Sequence, residues 1–240
     1  MRKNRSVWMA ISFGLIFMAL PSSFAEPEDN VGVTVESDVE ILAESHVSTE
    51  MDRLRSSDDR VQMADQHLAK EGFEPANEMI DDNFFGMKQT FNGSAAGELV
   101  EQTYEFFVQE YSNPDSDMAA AVGRMAIRSS DGSYATQYTF ILKAPKTNVS
   151  AIEEYYVAAY PSGLAVVEAN SWWTCMLGQL PLIGVECGLG PNVCAPAATS
   201  IVGYLGCVAT HCGPSFSKSS ACCNCGCSRW CSWAYGCCQM

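Results

Sequence analysis

Twelve cysteines carry the chemistry this sequence can do: Cys175, Cys187, Cys194, Cys207, Cys212, Cys222, Cys223, Cys225, Cys227, Cys231, Cys237 and Cys238. None stands before Cys175 in the 240-residue chain. An even, dense set of thiols has two uses. Oxidised, it staples a small domain that cannot bury enough surface to be robust on its core alone. Reduced, it holds a soft metal ion. Disulfides are the expected use. Each bridge typically adds about 2–4 kcal/mol by restricting the unfolded chain. Twelve cysteines allow on the order of ten thousand pairings, so connectivity stays open. The adjacent pairs Cys222-Cys223 and Cys237-Cys238 are expected to bond distant partners, because joining neighbours strains the intervening peptide.

The metal alternative rests on Cys222-Cys223-Asn224-Cys225-Gly226-Cys227, where Cys222 and Cys225 have zinc-ligand spacing, and on His211 beside Cys212. Soft-metal thiol clusters belong to reducing compartments, so neither a metal nor a cofactor is expected. Catalysis is not expected either. The histidines are His46, His67 and His211, and neither a Gly-x-Ser-x-Gly elbow nor a His-Glu-x-x-His motif occurs. No residue is put forward as catalytic.

Oxidised cysteines need an oxidising place, and the N-terminus reads as the route to one. Arg2, Lys3 and Arg5 precede an uncharged apolar run from Val7 to Leu20, and Pro21 ends it. Ser23-Phe24-Ala25 sets small residues where a signal peptidase reads, so cleavage is expected between Ala25 and Glu26 and the product is expected to be secreted. The run is short of the roughly 20 residues a membrane span needs.

Charge divides the rest. Residues 26–170 carry 27 acidic and nine basic side chains, a net of −18. Residues 171–240 carry only Glu186, Lys218 and Arg229. The acidic part would repel nucleic acid and anionic lipid, so nucleic acid is excluded as a partner.

The elements that hold these parts follow from periodicity. Residues 26–47 are acidic without a strong period and read as a flexible arm. Leu54, Val61, Ala64 and Leu68 recur at helical spacing over 49–71, with Thr49 and Asp52 as a capping box and Gly72 as the stop. Gly123–Ser129 and Tyr134–Leu142 flank an Asp131-Gly132 hairpin turn, and Glu154–Tyr160 and Gly163–Glu168 read as two more strands. Glu98–Glu110 fits helix or strand. The expected fold is an α+β pro-region (48–169) with a small antiparallel sheet, followed by a small disulfide-rich, partly helical C-terminal domain (170–240). In that domain Met176–Val185 is apolar and interrupted by Pro181, Pro191–Thr210 suggests a hairpin of two short helices, and the chain from Gly213 onward reads as mostly loop. Trp172, Trp173, Trp230, Trp233 and Tyr235 are amphipathic aromatics suited to a membrane interface or to plugging a small core.

This layout resembles the cysteine-rich, halocin-like bacteriocin precursors of haloarchaea and their bacterial relatives. The resemblance lies in Cys175, the apolar Gly-rich stretch to Cys187 and Cys194, the Ala/Gly helix to Cys207 and Cys212, and the terminal cysteine cluster. The start lacks a twin-arginine motif, and the vicinal cysteine pairs are denser than the family's pattern. The resemblance implies a secreted antimicrobial peptide cut from the C-terminus, with a pro-region that chaperones or neutralises it. Pro-region cleavage is then expected between about Ser162 and Trp172, with Ala169 and Asn170 as candidates. The expected partners are a processing protease, the pro-region itself, and the membrane or a surface receptor of a target cell. The alternative is a secreted cysteine-rich binding or inhibitor module that acts as an intact chain.

Overall fold

The computed structural model describes residues 39–76, 83–95, 98–169, 172–183, 192–196 and 198–225. Eight antiparallel strands form one sheet: β1 (Glu40–Ile41), β2 (Glu74–Pro75), β3 (Phe84–Ala95), β4 (Glu98–Ser112), β5 (Met118–Ser129), β6 (Tyr134–Pro145), β7 (Glu153–Tyr160) and β8 (Gly163–Ala169). From β3 to β8 the sheet is a meander in which each strand pairs with the next. β1 flanks β3, and β2 pairs with β4. The sheet is thus much larger than the small one expected. Glu98–Glu110 is strand, and β3 has no counterpart in the sequence reading.

The sheet is long because both of its faces are covered. One face carries Phe84, Phe107, Tyr111, Val122 and Ile141 against α1 (Glu44–Ser57) and α2 (Asp59–Lys70). The other carries Met87, Tyr104, Phe106, Met125 and Phe140 against α3 (Trp172–Ile183), α4 (Ile201–Cys212) and α5 (Pro214–Cys225). A strand alternates its side chains between faces. Two buried faces therefore make β5 buried almost without interruption, as strands covered on both sides are.

Two glycines permit close approaches. A Cβ on Gly86 would sit 2.5 Å from Cγ2 of Val47, so this glycine lets α1 lie on the sheet. A Cβ on Gly123 would sit 2.1 Å from Cζ of Phe140, its cross-strand partner, whose ring lies across the bare backbone.

The expected helix over 49–71 is two helices. Asp58, in an extended conformation, interrupts it and accepts the Arg60 backbone N–H as N-cap of α2. The capping box at Thr49 and Asp52 is corrected: both lie inside α1, where Thr49 donates to the Ser45 carbonyl and Asp52 pairs with Arg55. Gly72 does stop α2. At φ +80° it completes a pair of bonds from Phe73 N to Leu68 O and from Gly72 N to Ala69 O, and buried Phe73 and Leu68 seal the end. The described end of the acidic arm, residues 39–47, is ordered: β1 pairs with β3 and α1 starts at Glu44, because Val47 is part of the core.

Three expectations for the C-terminal region change. Residues 172–183 form one helix that continues through Pro181. Among the described residues of 191–210 the elements are a short helical turn at 192–194 and the start of α4. The segment after Gly213, expected as loop, begins with α5. Gly213 turns the chain at φ +52°, Pro214 opens the helix where its missing N–H is harmless, and Phe216 and Ser220 bury against the sheet. Tertiary burial overrides the weak helix propensity of this Ser- and Cys-rich run.

Candidate functional site

The surface that brings the two unlike parts together is the sheet face beneath α3, α4 and α5. Phe106 is its centre. The ring is fully buried and meets Phe85, Phe140, Trp172 and Phe216 at centroid distances of 6.3, 5.8, 6.0 and 5.6 Å. Trp172 also stacks on Phe140 at 5.0 Å. Stacked and edge-on rings at these separations add to their area burial. The two faces of the pleat explain why this works: Tyr104, Phe106 and Val108 fall on one side, and Phe107 and Tyr111 on the other.

Polar contacts fix the helices on this apolar ground. Tyr104 donates its hydroxyl to Ser220 Oγ at 2.7 Å, and Trp172 Nε1 reaches the same oxygen at 3.2 Å. Ser217 bonds to Gln89 on β3. Two carboxylates from the sheet cap two helices. Glu154 on β7 accepts the Trp173 backbone N–H at 2.7 Å, at the start of α3, and takes the Tyr138 hydroxyl at 2.6 Å. Glu110 on β4 accepts the Val202 N–H at 3.0 Å, at the start of α4, beside the Ser200 cap on Gly203 N. Unpaired N–H groups and the positive end of the helix dipole make these favourable places for a carboxylate. Burial nevertheless pushes the Glu154 carboxyl above its usual range, and the hydrogen bonds from Trp173, Tyr138 and Trp172 only partly offset that. Tyr204 on α4, edge-on to Trp173, is pushed up to about 12 by burial.

The cysteines tie the helices to each other and not to the sheet. Cys175 on α3 bonds Cys223 on α5, and Cys194 bonds Cys207 on α4. Cys212 and Cys222 are disulfide-bonded as well. Among the described residues no cysteine is free. Cys187, Cys227, Cys231, Cys237 and Cys238 lie outside the described residues, and Cys225 ends α5. Since the chain has no cysteine before Cys175, no bridge can join the sheet to the C-terminal region. Cys194, Cys207 and His211 bring one ligand atom each within 4.8 Å of one another, but the two sulfurs are bonded to each other.

Of the aromatics singled out in the sequence, Trp172 and Trp173 are buried on the sheet in the intact chain. Trp230, Trp233 and Tyr235 lie outside the described residues, as do Ala25, Glu26 and Asn170. Ala169 ends β8, so residues 163–169 of the expected cleavage window lie in a strand paired with β7. No helix among the described residues is long and apolar enough to cross a membrane. The disulfides mark the chain as non-cytosolic.

Glu110, Glu154, Tyr104 and Phe106 were not singled out from the sequence as site residues. Tyr104 and Phe106 stand two apart in a run readable as helix or strand, and only the strand reading puts them on one face. Glu110 and Glu154 resemble the other carboxylates of an acidic segment until their partners are seen.

A second concavity, of about 470 Å³, lies on the opposite face, between the α1–α2 junction and β5 and β6. Arg53, Arg60, Arg124, Asp58, Tyr134 and Gln137 are among its lining. Arg124 is committed to Asp58 at 3.0 Å and to the Met125 carbonyl at 2.8 Å. Arg53 pairs with Glu50 at 2.8 Å and Arg60 donates to Gln137 at 3.2 Å, so each of these arginines has a partner within the fold.

The geometry defines a mixed α/β chain whose acidic sheet holds a disulfide-bridged helical unit on one face. No family model, curated protein or solved structure matches it.

Proposed function

We propose that the chain is the secreted precursor of a disulfide-rich antimicrobial peptide, residues 170–240, which the sheet of the pro-region covers until proteolysis releases it. One observation carries the reading. The apolar side of α3, α4 and α5 is buried on the sheet, yet every disulfide available to those helices stays within residues 175–238. The backbone after Ala169 is the only covalent tie between the two parts. One cut there converts an intramolecular cover into a separable partner. Released, the peptide has Trp172 and Trp173 to offer to a target membrane, and almost no charge to resist entering it.

The same shared core also favours a second reading: an intact secreted binding module whose sheet stabilises the cysteine-rich helices permanently. Mass spectrometry of the secreted product, with and without reductant, separates the two. A species of about 70 residues beginning near residue 170 supports the precursor. Such a species, oxidised, should release dye from liposomes and inhibit related strains. An uncut chain from residue 26, with no smaller active product, would favour the binding module.

A further inference from the structure

We infer that the sheet is a template for oxidative folding: it selects the disulfide pairing of the C-terminal helices by anchoring them before their thiols oxidise. The inference deepens the reading above, since it assumes only that the pro-region holds the helices during maturation.

Each described bridge lies one step from a residue the sheet anchors. On α3, Trp172 is held by Phe106, Phe140 and Ser220, and Cys175 stands three residues later, one turn along the same side. On α5, Ser220 is held by Tyr104, and Cys223 again stands three residues later. The Trp172–Ser220 hydrogen bond and the Cys175–Cys223 bridge therefore join successive turns of the same two helices. Fixing the first pair sets the second at bonding distance, with Cα atoms 5.6 Å apart across 48 residues of sequence. On α4, Gly206 packs under the Phe85 ring, where an added Cβ would stand 3.1 Å from Cδ2, and Cys207 follows it directly. Glu110 fixes the start of that helix at Val202.

The selection matters because twelve thiols offer on the order of ten thousand pairings. Closing a long loop is also disfavoured by chain entropy. A sheet with no cysteine of its own can align thiols without entering the exchange, so it cannot be trapped in a mixed disulfide. The covalent step needs an external oxidant of the small-molecule disulfide class. Two protein thiols lose two electrons and two protons as the S–S bond forms, and the oxidant leaves as two thiols. The sheet supplies geometry alone. Glu110 and Glu154 add to the alignment by holding the first turns of α4 and α3 through the Val202 and Trp173 amides.

The test is oxidative refolding of the full chain. Reduced, unfolded protein is diluted into a buffer of reduced and oxidised glutathione, quenched with acid over time, and mapped by peptide mass spectrometry. The combined variant Tyr104→Phe/Glu110→Leu/Glu154→Leu deletes the three polar anchors while keeping side chains of similar size. It should form Cys175–Cys223 and Cys194–Cys207 several-fold more slowly, with more mispaired isomers. Val61→Ala, which weakens the other face of the sheet, should leave the pairing pattern as in the wild type. Wild-type yield and rate in the triple variant would overturn the inference. So would an equal loss of native pairing in Val61→Ala, because the effect would then be general instability. Neither result bears on release or killing, which the mass and dye-release measurements read separately.

Discussion

Replacing Phe106 by Ala should cost the intact chain about 4 kcal/mol, near the middle of the range for burying and then deleting a phenyl ring. The placement comes from the site. Phe106 has no exposed surface and four aromatic neighbours, so nothing can collapse into the space without breaking another ring pair. A slope of about 2–3 kcal/mol per molar urea suits a chain of this size, so the unfolding midpoint should fall by about 1.3–2 M. The assay is equilibrium unfolding of the oxidised full chain, followed by tryptophan fluorescence. Trp172 sits on the deleted ring and so reports on the site directly.

Phe107 is the control, because it lies on the opposite face beside α1 and α2. Phe107→Ala should also destabilise, but limited proteolysis should then open the α1–α2 side first. In Phe106→Ala the first new cuts should fall in the C-terminal region. A loss below about 1 kcal/mol, typical of a substitution outside a packed core, would refute the central role given to Phe106. So would identical cleavage patterns in the two variants.

Alkylation of the native protein without reduction should label no cysteine; two or more labelled thiols, or stoichiometric zinc, would contradict the disulfide framework. Gly123→Ala should destabilise by about 1–3 kcal/mol, because its Cβ would meet the Phe140 ring; an unchanged melting temperature would show that the ring can move aside. Glu154→Gln should change how stability depends on pH. The folded chain raises this carboxyl above its usual range, so it binds its proton more readily folded than unfolded. Stability from this group therefore grows as pH falls through the folded pKa toward the unfolded one, and is lost as pH rises. The wild-type-minus-variant difference in unfolding free energy should shift toward the wild type between neutral pH and the ordinary glutamate range. A constant difference would show that the helix amides cancel the effect of burial, and one that moves the other way that they outweigh it; either would refute the prediction.

Much of the sheet was legible because its hairpins announce themselves. Asp131-Gly132 marks the β5–β6 turn, Gly132 takes the positive φ such a turn requires, and β7 and β8 fall within a residue or so of their expected bounds. What failed was the estimate of size, and the reason is the second covered face. A strand buried on both sides loses its alternation, so Ala119, Ala120, Ala121 and Val122 read as featureless. Phe84–Ala95 was missed although its Phe and Met positions are spaced for a strand. The helix of Pro214–Cys225 was illegible for another cause: its residues favour loop and cap conformations, and only Phe216, Ser217 and Ser220 against the sheet make it helical.

The charge split suggested that the acidic part keeps an uncharged partner dispersed, and the contact surface is where that idea becomes physical. The acidic side chains are not the contact. Among the described residues, Glu110 and Glu154 are the acidic side chains seen to bind the helices, and each does so by accepting a backbone N–H. The rest of the contact is aromatic and aliphatic, with the neutral hydrogen bonds that join Tyr104 to Ser220 and Gln89 to Ser217. Added salt screens exposed charges, with a Debye length of about 3 Å at 1 M, but leaves apolar burial intact or strengthens it. The association should therefore survive high salt after the backbone is cut. Separation then needs another apolar phase to replace the sheet. On the proposed function, that phase is the target membrane. Trp172 and Trp173 would exchange Phe106, Phe140 and the Glu154 cap for the lipid interface, and the pro-region would return to water with its own aromatic face bare. An exposed face of that size is unfavourable. The equilibrium without membrane should accordingly favour the complex, and a cut precursor should stay inactive in solution until lipid is present. Size-exclusion chromatography of the cut, oxidised protein tests this. Co-elution in 1 M salt that is lost on adding liposomes is the expected result, and separation by salt alone would show that charge, not the aromatic face, holds the two parts together.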